Sequence, residues 1–368
     1  MNFKLVWIVL FCVYCLIGEG AFLKTYGQTV KQKRLIEFGW DEPDTAFMKE
    51  HIEEMERTPF EGCVFHINYT RPVGEPQSFL WEAWGKKRFK PEQLDAAISE
   101  LKTTKFQKFK HNFLRFNTTP ADLDWFDDYS AVVNNATLAA KVANEGGCKG
   151  ILFDVEEYAN HLFTYANQRD KAAKSWDAYA LQAHLRGKQV MEGFQKGYPD
   201  LIVFLTYGYG LPWDKSQEGR KPLEECDYGL LAPFLDGMIS AAKGKTRFID
   251  GNESAYWYST PAHFSRGKSK LQKDVRQIIE NPVKYAKIFS VSFGVWMDFN
   301  WREQGWNTKD LAKNPRSPKL LEELTRKALS ETNEYVWVYS ETPRWWSASG
   351  KSEKLPLAYD TALRNALK

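Results

Sequence analysis

Apolar runs of strand length alternate with helical patterns from about residue 34 to the end of the chain. In the helical patterns, apolar residues recur every three or four positions, as Met48, Ile52 and Met55 do. The strand-like segments are Leu35–Gly39, Gly62–Asn68, Asn112–Asn117, Gly150–Glu156, Leu201–Tyr207, Arg247–Asp250, Phe289–Asp298 and Tyr335–Glu341. Eight strands that alternate with helices predict an α/β fold with a parallel sheet closed into a (β/α)8 barrel, also called a TIM barrel.

The main alternative architecture is an open, doubly wound sheet. Such sheets usually carry a glycine-rich phosphate loop after the first strand, and Trp40-Asp41-Glu42 stands there instead. We therefore expect one barrel domain over residues 21–368. The stretch 225–244 shows no helical period and is interpreted as irregular.

The fourth strand ends in acidic residues, in the segment Gly150-Ile-Leu-Phe-Asp-Val-Glu156. Because side chains alternate along a strand, Asp154 and Glu156 lie on one side, roughly 6–7 Å apart at about 3.3 Å per residue. Two carboxylates held this close favour the protonated form of one of them, which is how a general acid is made near neutral pH. A solvated acidic pair at the start of a helix is the alternative interpretation.

Polar side chains stand at the C-terminal ends of most of the other strands as well. In a barrel these ends meet around one mouth, where enzymes of this fold place their active sites. The polar residues at the strand ends are Asp41, His66, Asn68, Arg115, Asn117, Asp154, Glu156, Tyr207, Asp250, Asp298 and Glu341. Their common position predicts a site for a polar ligand.

Aromatic residues make up 15% of the chain, and many follow the same strand ends. Those predicted to contact a ligand are Trp40, Tyr207, Trp257, Trp296 and Trp345. Aromatic faces pack against the apolar C–H faces of sugar rings, so acids and aromatics together predict a carbohydrate site. Some of these rings could instead cap the barrel core.

The first 20 residues have the build of a secretory signal peptide. Lys4 precedes an apolar run from Leu5 to Ile17, and small residues precede Ala21. The run has about 13 residues, fewer than the roughly 20 needed to span a bilayer. We expect a secreted or periplasmic protein with no stable membrane insertion after cleavage.

Charge and cysteine content narrow the class of protein further. The formal net charge of +3 and the scattered Lys and Arg residues argue against a nucleic-acid partner. Only Cys63, Cys148 and Cys226 follow the predicted signal peptide, too few for a disulfide framework. The motif Asn252-Glu253-Ser254 matches the N-glycosylation pattern.

Other chemistries of barrel enzymes lack their usual residues in this sequence. It has no His-x-His pair, no Gly-x-Ser-x-Gly motif, and no Lys at a predicted strand end. Carboxylates can cleave a glycosidic bond without a cofactor or a metal ion. We therefore predict a carbohydrate substrate, and Asp154, Glu156, Glu341 and Asp298 as catalytic candidates.

Two other functions remain open at this stage. A metal-dependent sugar isomerase or epimerase would use His66, Glu156, Asp250 and Glu341 as ligands. A non-catalytic carbohydrate-binding barrel would keep the aromatic residues and need no acid pair. The sequence leaves the sugar, the linkage and the oligomeric state undetermined.

These features resemble the exported glycoside hydrolases with a (β/α)8 barrel. Leu152-Phe-Asp-Val-Glu156 looks like the fourth-strand signature of the chitinase-like group, which implies Glu156 as general acid and Asp154 as its modulator. That group carries further acids earlier in the strand, where this chain has Leu152 and Gly150.

Two other clans of barrel glycosidases imply different roles for the same residues. The cellulase-like clan places the acid on the fourth strand and a nucleophile on the seventh, where this chain has Asp298 rather than Glu. Its acid would be Glu156 or Glu157. The galactosidase-like clan would make Asp154 the nucleophile and Asp250 the acid.

Overall fold

Parallel strands close into a barrel in the computed structural model, which describes residues 32–347, 350 and 353–368. Within these residues the barrel has eight strands: β1 (Arg34–Gly39), β2 (Val64–Phe65), β3 (Phe113–Asn117), β4 (Gly150–Asp154), β5 (Ile202–Leu205), β6 (Arg247–Asp250), β7 (Phe289–Val291 and Gly294–Trp296) and β8 (Tyr335–Ser340). The predicted (β/α)8 barrel is confirmed.

The order of the strands shows how the barrel closes. β2 to β6 pair in sequence order, and β6 pairs with the first segment of β7. The second segment of β7 pairs with β8, and β8 pairs with β1 along all six residues of β1. A single bridge between Glu37 and Cys63 joins β1 to β2 and completes the circle.

One main helix follows each strand and packs outside the barrel. The described helices of this layer are α1 (Thr45–Met55), α2 (Asp95–Thr103), α3 (Ser130–Glu145), α4 (Trp176–Gly197), α5 (Leu231–Ala241), α6 (Pro261–Gln272), α7 (Pro318–Glu331) and α8 (Leu357–Ala366). Shorter α-helices span Gly210–Lys215, Pro282–Ile288 and Trp301–Gln304. Single 3-10 turns span Phe79–Trp81, Pro91–Leu94, Tyr165–Asn167, Leu223–Glu225, Glu253–Trp257, Asp274–Ile278 and Leu311–Lys313. Two small strand pairs lie outside the barrel sheet: Asn68–Tyr69 with Gln77–Ser78, which is antiparallel, and Pro343–Arg344 with Glu353–Lys354, which is parallel.

Side chains of the strands form two apolar layers. The interior of the barrel is filled by a cluster that includes Phe113, Leu152, Phe204 and Trp337. The opposite faces of the strands, with residues such as Phe153, pack against the helices. This alternation decides which polar residues at the strand ends face the mouth.

The interpretation of 225–244 as irregular is wrong, because α5 occupies Leu231–Ala241. Most of its residues are apolar and buried, so the sequence shows no polar stripe from which a helical period could be recognised. The helix lies very close to α4: a Cβ on Gly187 would be 1.9 Å from the Phe234 carbonyl oxygen, and one on Gly237 would be 1.9 Å from that of His184.

The sequence analysis also made predictions about the N-terminal segment, membrane insertion, the cysteines and the number of domains. The predicted signal peptide, residues 1–20, lies outside the described residues. Among the described helices, none has the length and apolar character needed to cross a bilayer. The cysteines Cys63, Cys148 and Cys226 are buried free thiols. Residues 32–368 form one compact unit.

Candidate functional site

A cavity of about 270 Å³ opens at the C-terminal mouth of the barrel. Residues at the ends of β1 and of β3 to β8 surround it. Its walls combine carboxyl side chains with the rings of Trp40, Tyr256, Trp257, Trp296 and Tyr339. The cavity is therefore where the predicted polar and aromatic residues could meet a ligand.

The carboxyl groups of Glu156 and Glu253 lie side by side in this cavity, close enough for each to change the pKa of the other. Glu156 follows β4, and Glu253 follows β6. Two carboxyl groups held this close favour the protonated form of one of them. The pair is therefore a site where a proton donor and a carboxylate stand side by side.

The turn after β4 directs Glu156 into the cavity. The Glu156 amide donates to Asp154 Oδ1 at 3.1 Å, and the Val155 amide donates to Thr206 Oγ1 at 3.3 Å. Thr118 Oγ1 donates to the Glu156 carbonyl oxygen at 3.2 Å. These bonds tie the turn to the ends of β3 and β5, so that Glu156 stays on the side of Asp154.

The turn after β6 brings in Glu253. The Gly251 amide donates to the Leu205 carbonyl at 2.9 Å, and a Cβ on Gly251 would be 2.3 Å from that oxygen, so only glycine fits. Asn252 is left-handed, with a φ of 44°, and its amide donates to Asp250 Oδ1 at 3.0 Å. The Glu253 amide then donates to the Thr206 carbonyl at 3.1 Å, which turns the chain back over the mouth.

Burial raises the pKa of both carboxyl groups. The pKa of Glu156 is about 7, because burial and then the negative charge of Asp154 disfavour its ionised form. The pKa of Glu253 lies well above its ordinary value, because of burial first and then the charges of Glu156 and Asp154. Burial and the neighbouring negative charges therefore favour a proton on this pair.

Asp154, in contrast, is fully occupied by donors. Its Oδ2 accepts from Arg115 Nη2 at 2.6 Å and from Tyr158 Oη at 3.0 Å. Its Oδ1 accepts from Thr206 Oγ1 at 3.2 Å in addition to the Glu156 amide. These donors fix the orientation of the Asp154 side chain and with it the shape of the site.

Arg115 links the site to the first strand. Its Nη1 donates to both carboxylate oxygens of Glu42, at 3.1 and 3.2 Å, and its other nitrogens donate to Asp154. The guanidinium also lies 5.2 Å from the centroid of the Phe38 ring. The side chain is 3% exposed, so this cation is buried between two carboxylates.

Glu341 lines the cavity, whereas Asp298 is buried next to the Glu341 backbone and does not line the cavity. Glu341 accepts from Trp301 Nε1 at 2.6 Å and from Tyr339 Oη at 2.9 Å, and it pairs with Arg302 at 2.6 Å. Asp298 is fully buried and accepts from Trp296 Nε1 at 2.8 Å and from the amides of Glu341 and Thr342. Burial raises the pKa of Asp298 to about 6. Asp298 therefore holds the turn that presents Glu341.

The prediction that Asp250 faces the mouth does not hold. Ile249 belongs to the barrel interior, so Asp250 points to the outer side with Phe248. There it binds the Asn252 amide, and burial raises its pKa to about 6. Because both faces of a parallel strand are apolar, the sequence alone could not tell which face Asp250 shares.

Other predicted binding residues lie around the cavity rather than in its wall. Asp41 accepts from Ser347 Oγ at 3.2 Å, and Asn68 donates to Asp44 at 2.7 Å. His66 Nδ1 lies 3.8 Å from Glu42 Oε1, behind Arg115. These three side chains support the loops after β1 and β2.

Asn117 and Tyr207 lie closer to the carboxyl pair. Asn117 is fully buried on the inward side of β3, opposite Asp154 in the register, and within the described residues its amide group has no hydrogen-bond partner. Burial, followed by the charges of Glu253 and Glu156, raises the pKa of Tyr207.

The predicted tryptophans separate into two groups. Trp40, Trp257 and Trp296 line the cavity, and the first two are 55% and 67% exposed. Trp345 lies elsewhere, with its ring packed edge-on against Phe60 at 4.8 Å between centroids. The expected contact of Trp345 with a sugar is therefore not supported, because the turn after β8 places this side chain away from the cavity.

The ligand set of a metal-dependent isomerase is not brought together. Of its four residues, Glu156 and Glu341 line the cavity, while His66 lies behind Arg115 and Asp250 faces outward. Across the part of the chain that the structure describes, no group of three or more His, Cys, Asp or Glu side chains has the arrangement to hold a metal ion.

Glu253 is the main residue that the sequence analysis missed. It stands in the motif Asn252-Glu253-Ser254, which was interpreted only as a glycosylation pattern. The available signal was an acid three residues beyond the end of β6, followed by Tyr256 and Trp257. Tyr158 and Arg302 also line the cavity without having been predicted.

Comparisons with known proteins find similarity in structure alone. No protein-family model and no curated protein sequence matches this chain. Its structure is similar to a GH5-4 broad specificity endoglucanase from an uncultured bacterium, with 11% identity, 89% of this chain and 86% of that chain covered, and a TM-score of 0.46.

Two further solved structures are also similar to this chain. One is an endocellulase from the archaeon Pyrococcus horikoshii, with 11% identity, 92% of each chain covered and a TM-score of 0.44. The other is a 3-keto-D-glucoside 4-epimerase from E. coli, with 12% identity, 91% of this chain and 98% of that chain covered, and a TM-score of 0.40. At these identities the similarity concerns the fold, so function has to be argued from the site.

Proposed function

We propose that this protein is a glycoside hydrolase in which Glu156 and Glu253 do the chemistry. The observation that supports this most directly is the pair of adjacent carboxyl groups in an aromatic-walled cavity at the barrel mouth. Glycoside hydrolysis needs one carboxyl group as acid and a second as base or nucleophile, with environments that separate their pKa values.

The proposed roles follow from the position of the shared proton. Glu253, the more buried of the two, holds the proton in this proposal and donates it to the leaving oxygen as the glycosidic C–O bond breaks. Glu156, as the carboxylate, acts on the anomeric side, either by attacking the anomeric carbon or by taking a proton from the attacking water. This exchanges the role that the chitinase-like resemblance implied for Glu156.

The residues around the pair have supporting roles in this proposal. Asp154, held by Arg115, Tyr158 and Thr206, keeps a negative charge beside Glu156 and raises its pKa. The rings of Trp40, Trp257 and Trp296 offer faces against which a sugar can pack. Glu341 offers a carboxylate for sugar hydroxyl groups on the opposite wall.

The test is hydrolysis by the purified chain of neutral 4-nitrophenyl glycosides and of cello-, manno-, xylo- and malto-tetraose. We expect activity in the wild type, a large loss in Glu156→Gln, and near-normal activity in Glu157→Gln. Glu157 is a matched control, because its carboxylate turns away to the Phe163 amide and His161. Binding of these sugars by the wild type without any bond cleavage would contradict the proposal and favour a carbohydrate-binding barrel.

We also propose that the chain is exported through cleavage of residues 1–20. The support is the sequence pattern of a charged start, a short apolar run and small residues before Ala21. N-terminal sequencing of the protein recovered from outside the cytoplasm should begin near Ala21. A protein that still begins at Met1 in that fraction would contradict cleavage.

A further inference from the structure

The cavity is walled on nearly every side. Side chains at seven of the eight strand ends line it, and the end of β2 is the exception. A site that binds a long chain along its middle is a groove, open at two opposite ends. Here the wall formed by the ends of β3 and β4 faces another formed by the ends of β7 and β8. The site therefore has the form of a pocket.

The size of the cavity agrees with its form. Its volume of about 270 Å³ lies just below the roughly 300–1,000 Å³ that small-molecule sites usually span. A volume at the low end of this range suits a single sugar unit better than a longer segment of a chain.

The charges in the wall disfavour an acidic sugar. Four carboxyl side chains and two guanidinium side chains line the cavity. Both guanidinium groups are already paired, Arg115 with Glu42 and Asp154, and Arg302 with Glu341. The carboxylate of a uronic acid would displace one of these pairs or remain beside uncompensated negative charge, at a cost in binding free energy.

Two exposed rings stand at the rim. The side chains of Trp40 and Trp257 line the cavity and are still 55% and 67% exposed. Trp257 is held edge-on by Phe299, with 5.1 Å between ring centroids. They come from the ends of β1 and β6, and a second sugar unit outside the pocket could pack on either ring.

We propose that the enzyme removes single uncharged sugar units from chain ends, with one unit in the pocket and the adjoining unit on Trp40 or Trp257. This rests on the proposed glycosidase function and narrows it to a substrate class and a mode of cleavage.

The first experiment follows the products of chain cleavage. Wild-type protein is incubated with cello-, manno-, xylo- and malto-tetraose and with tetragalacturonate, and early products are separated by length. We expect a monosaccharide and a trisaccharide as the first products from at least one neutral tetraose, and no cleavage of tetragalacturonate. Disaccharides as the first products, or cleavage of tetragalacturonate, would overturn the inference and leave the glycosidase function intact.

The second experiment tests the rim. In Trp40→Ala or Trp257→Ala we expect the KM for the cleaved tetraose to rise about tenfold, equivalent to about 1.4 kcal/mol, with kcat nearly unchanged. Binding of the methyl glycoside of the same sugar, measured by saturation-transfer NMR, should stay the same, because a single unit sits in the pocket. Leu181→Ala, which removes a side chain 72% exposed on α4, is the control for loss of surface apolar area.

The two proposals fail in different ways. If neutral methyl glycosides bind to the wild type but no tetraose is cleaved, the glycosidase function fails while the single-sugar pocket remains. If tetraoses are cleaved but both Trp variants weaken the methyl glycoside as much as the tetraose, the rim does not hold a second unit and the inference is wrong.

Discussion

Replacing Glu253 by Gln is expected to lower kcat on a natural oligosaccharide by about 10²–10⁴-fold. The amide keeps the size of the side chain and can still hydrogen-bond to Glu156, so the fold and substrate binding should be retained. It cannot give a proton to the leaving oxygen, and that oxygen would then depart as an unstable anion. Steady-state kinetics with the tetraose that the wild type cleaves, together with thermal unfolding, measure both effects.

A substrate with an activated leaving group separates the roles of the two acids. The leaving oxygen of a 2,4-dinitrophenyl glycoside needs little protonation. Glu253→Gln should therefore keep most of the wild-type kcat on this substrate, whereas Glu156→Gln should remain slow. If Glu156→Gln is the variant that is spared, Glu156 is the acid, as the chitinase-like resemblance implied. Equal loss in both variants would contradict a division into acid and carboxylate.

The pH dependence of kcat/KM gives an independent readout of the same pair. The active form has Glu156 ionised and Glu253 protonated, so the wild-type rate should rise as pH increases through about 7, where Glu156 loses its proton. It should fall again at higher pH, as Glu253 is deprotonated. Glu253→Gln should lose that fall at high pH, since the amide has no proton to lose. Retention of the alkaline fall would assign it to another group.

Replacing Arg115 by Met is expected to lower the free energy of unfolding by about 3–5 kcal/mol at neutral pH. The change leaves the carboxylates of Glu42 and Asp154 buried without their shared cation. Arg115→Lys should restore only part of this stability, because a single ammonium group cannot donate to Glu42 and Asp154 in the geometry that the planar guanidinium provides. Urea unfolding at neutral pH measures the loss.

A surface ion pair of the same type provides the control for Arg115. Arg326→Met removes the partner of Glu322 on α7, where the two side chains are 48% and 30% exposed, and should cost about 0–1 kcal/mol. An effect of Arg115→Met no larger than that of Arg326→Met would show that Arg115 does not stabilise the two buried carboxylates. A fully folded Arg115→Met protein with wild-type activity would also show that Asp154 needs no cation to shape the site.

The sequence by itself determined the architecture and the side on which several site residues lie. Alternation of apolar runs with helical stripes predicted the barrel, since each strand and helix must bury its own apolar face. Alternation within a strand correctly placed Arg115 and Asp154 together on the inner side, because the period of two is fixed by backbone geometry. The apolar helix α5 escaped detection, since a helix buried nearly all round shows no polar stripe.

Only the tertiary structure decided which side chains meet at the mouth. Beyond the last residue of a strand, the direction of a side chain depends on turn hydrogen bonds to other strands, as with Glu253, whose amide binds the Thr206 carbonyl. Asp250 faces outward with Phe248, and the sequence could not show this because both faces of the strand are apolar. Trp345 turns away from the cavity and packs on Phe60. The partner of Glu156 was thus set by contacts between residues far apart in the chain, which local periodicity does not encode.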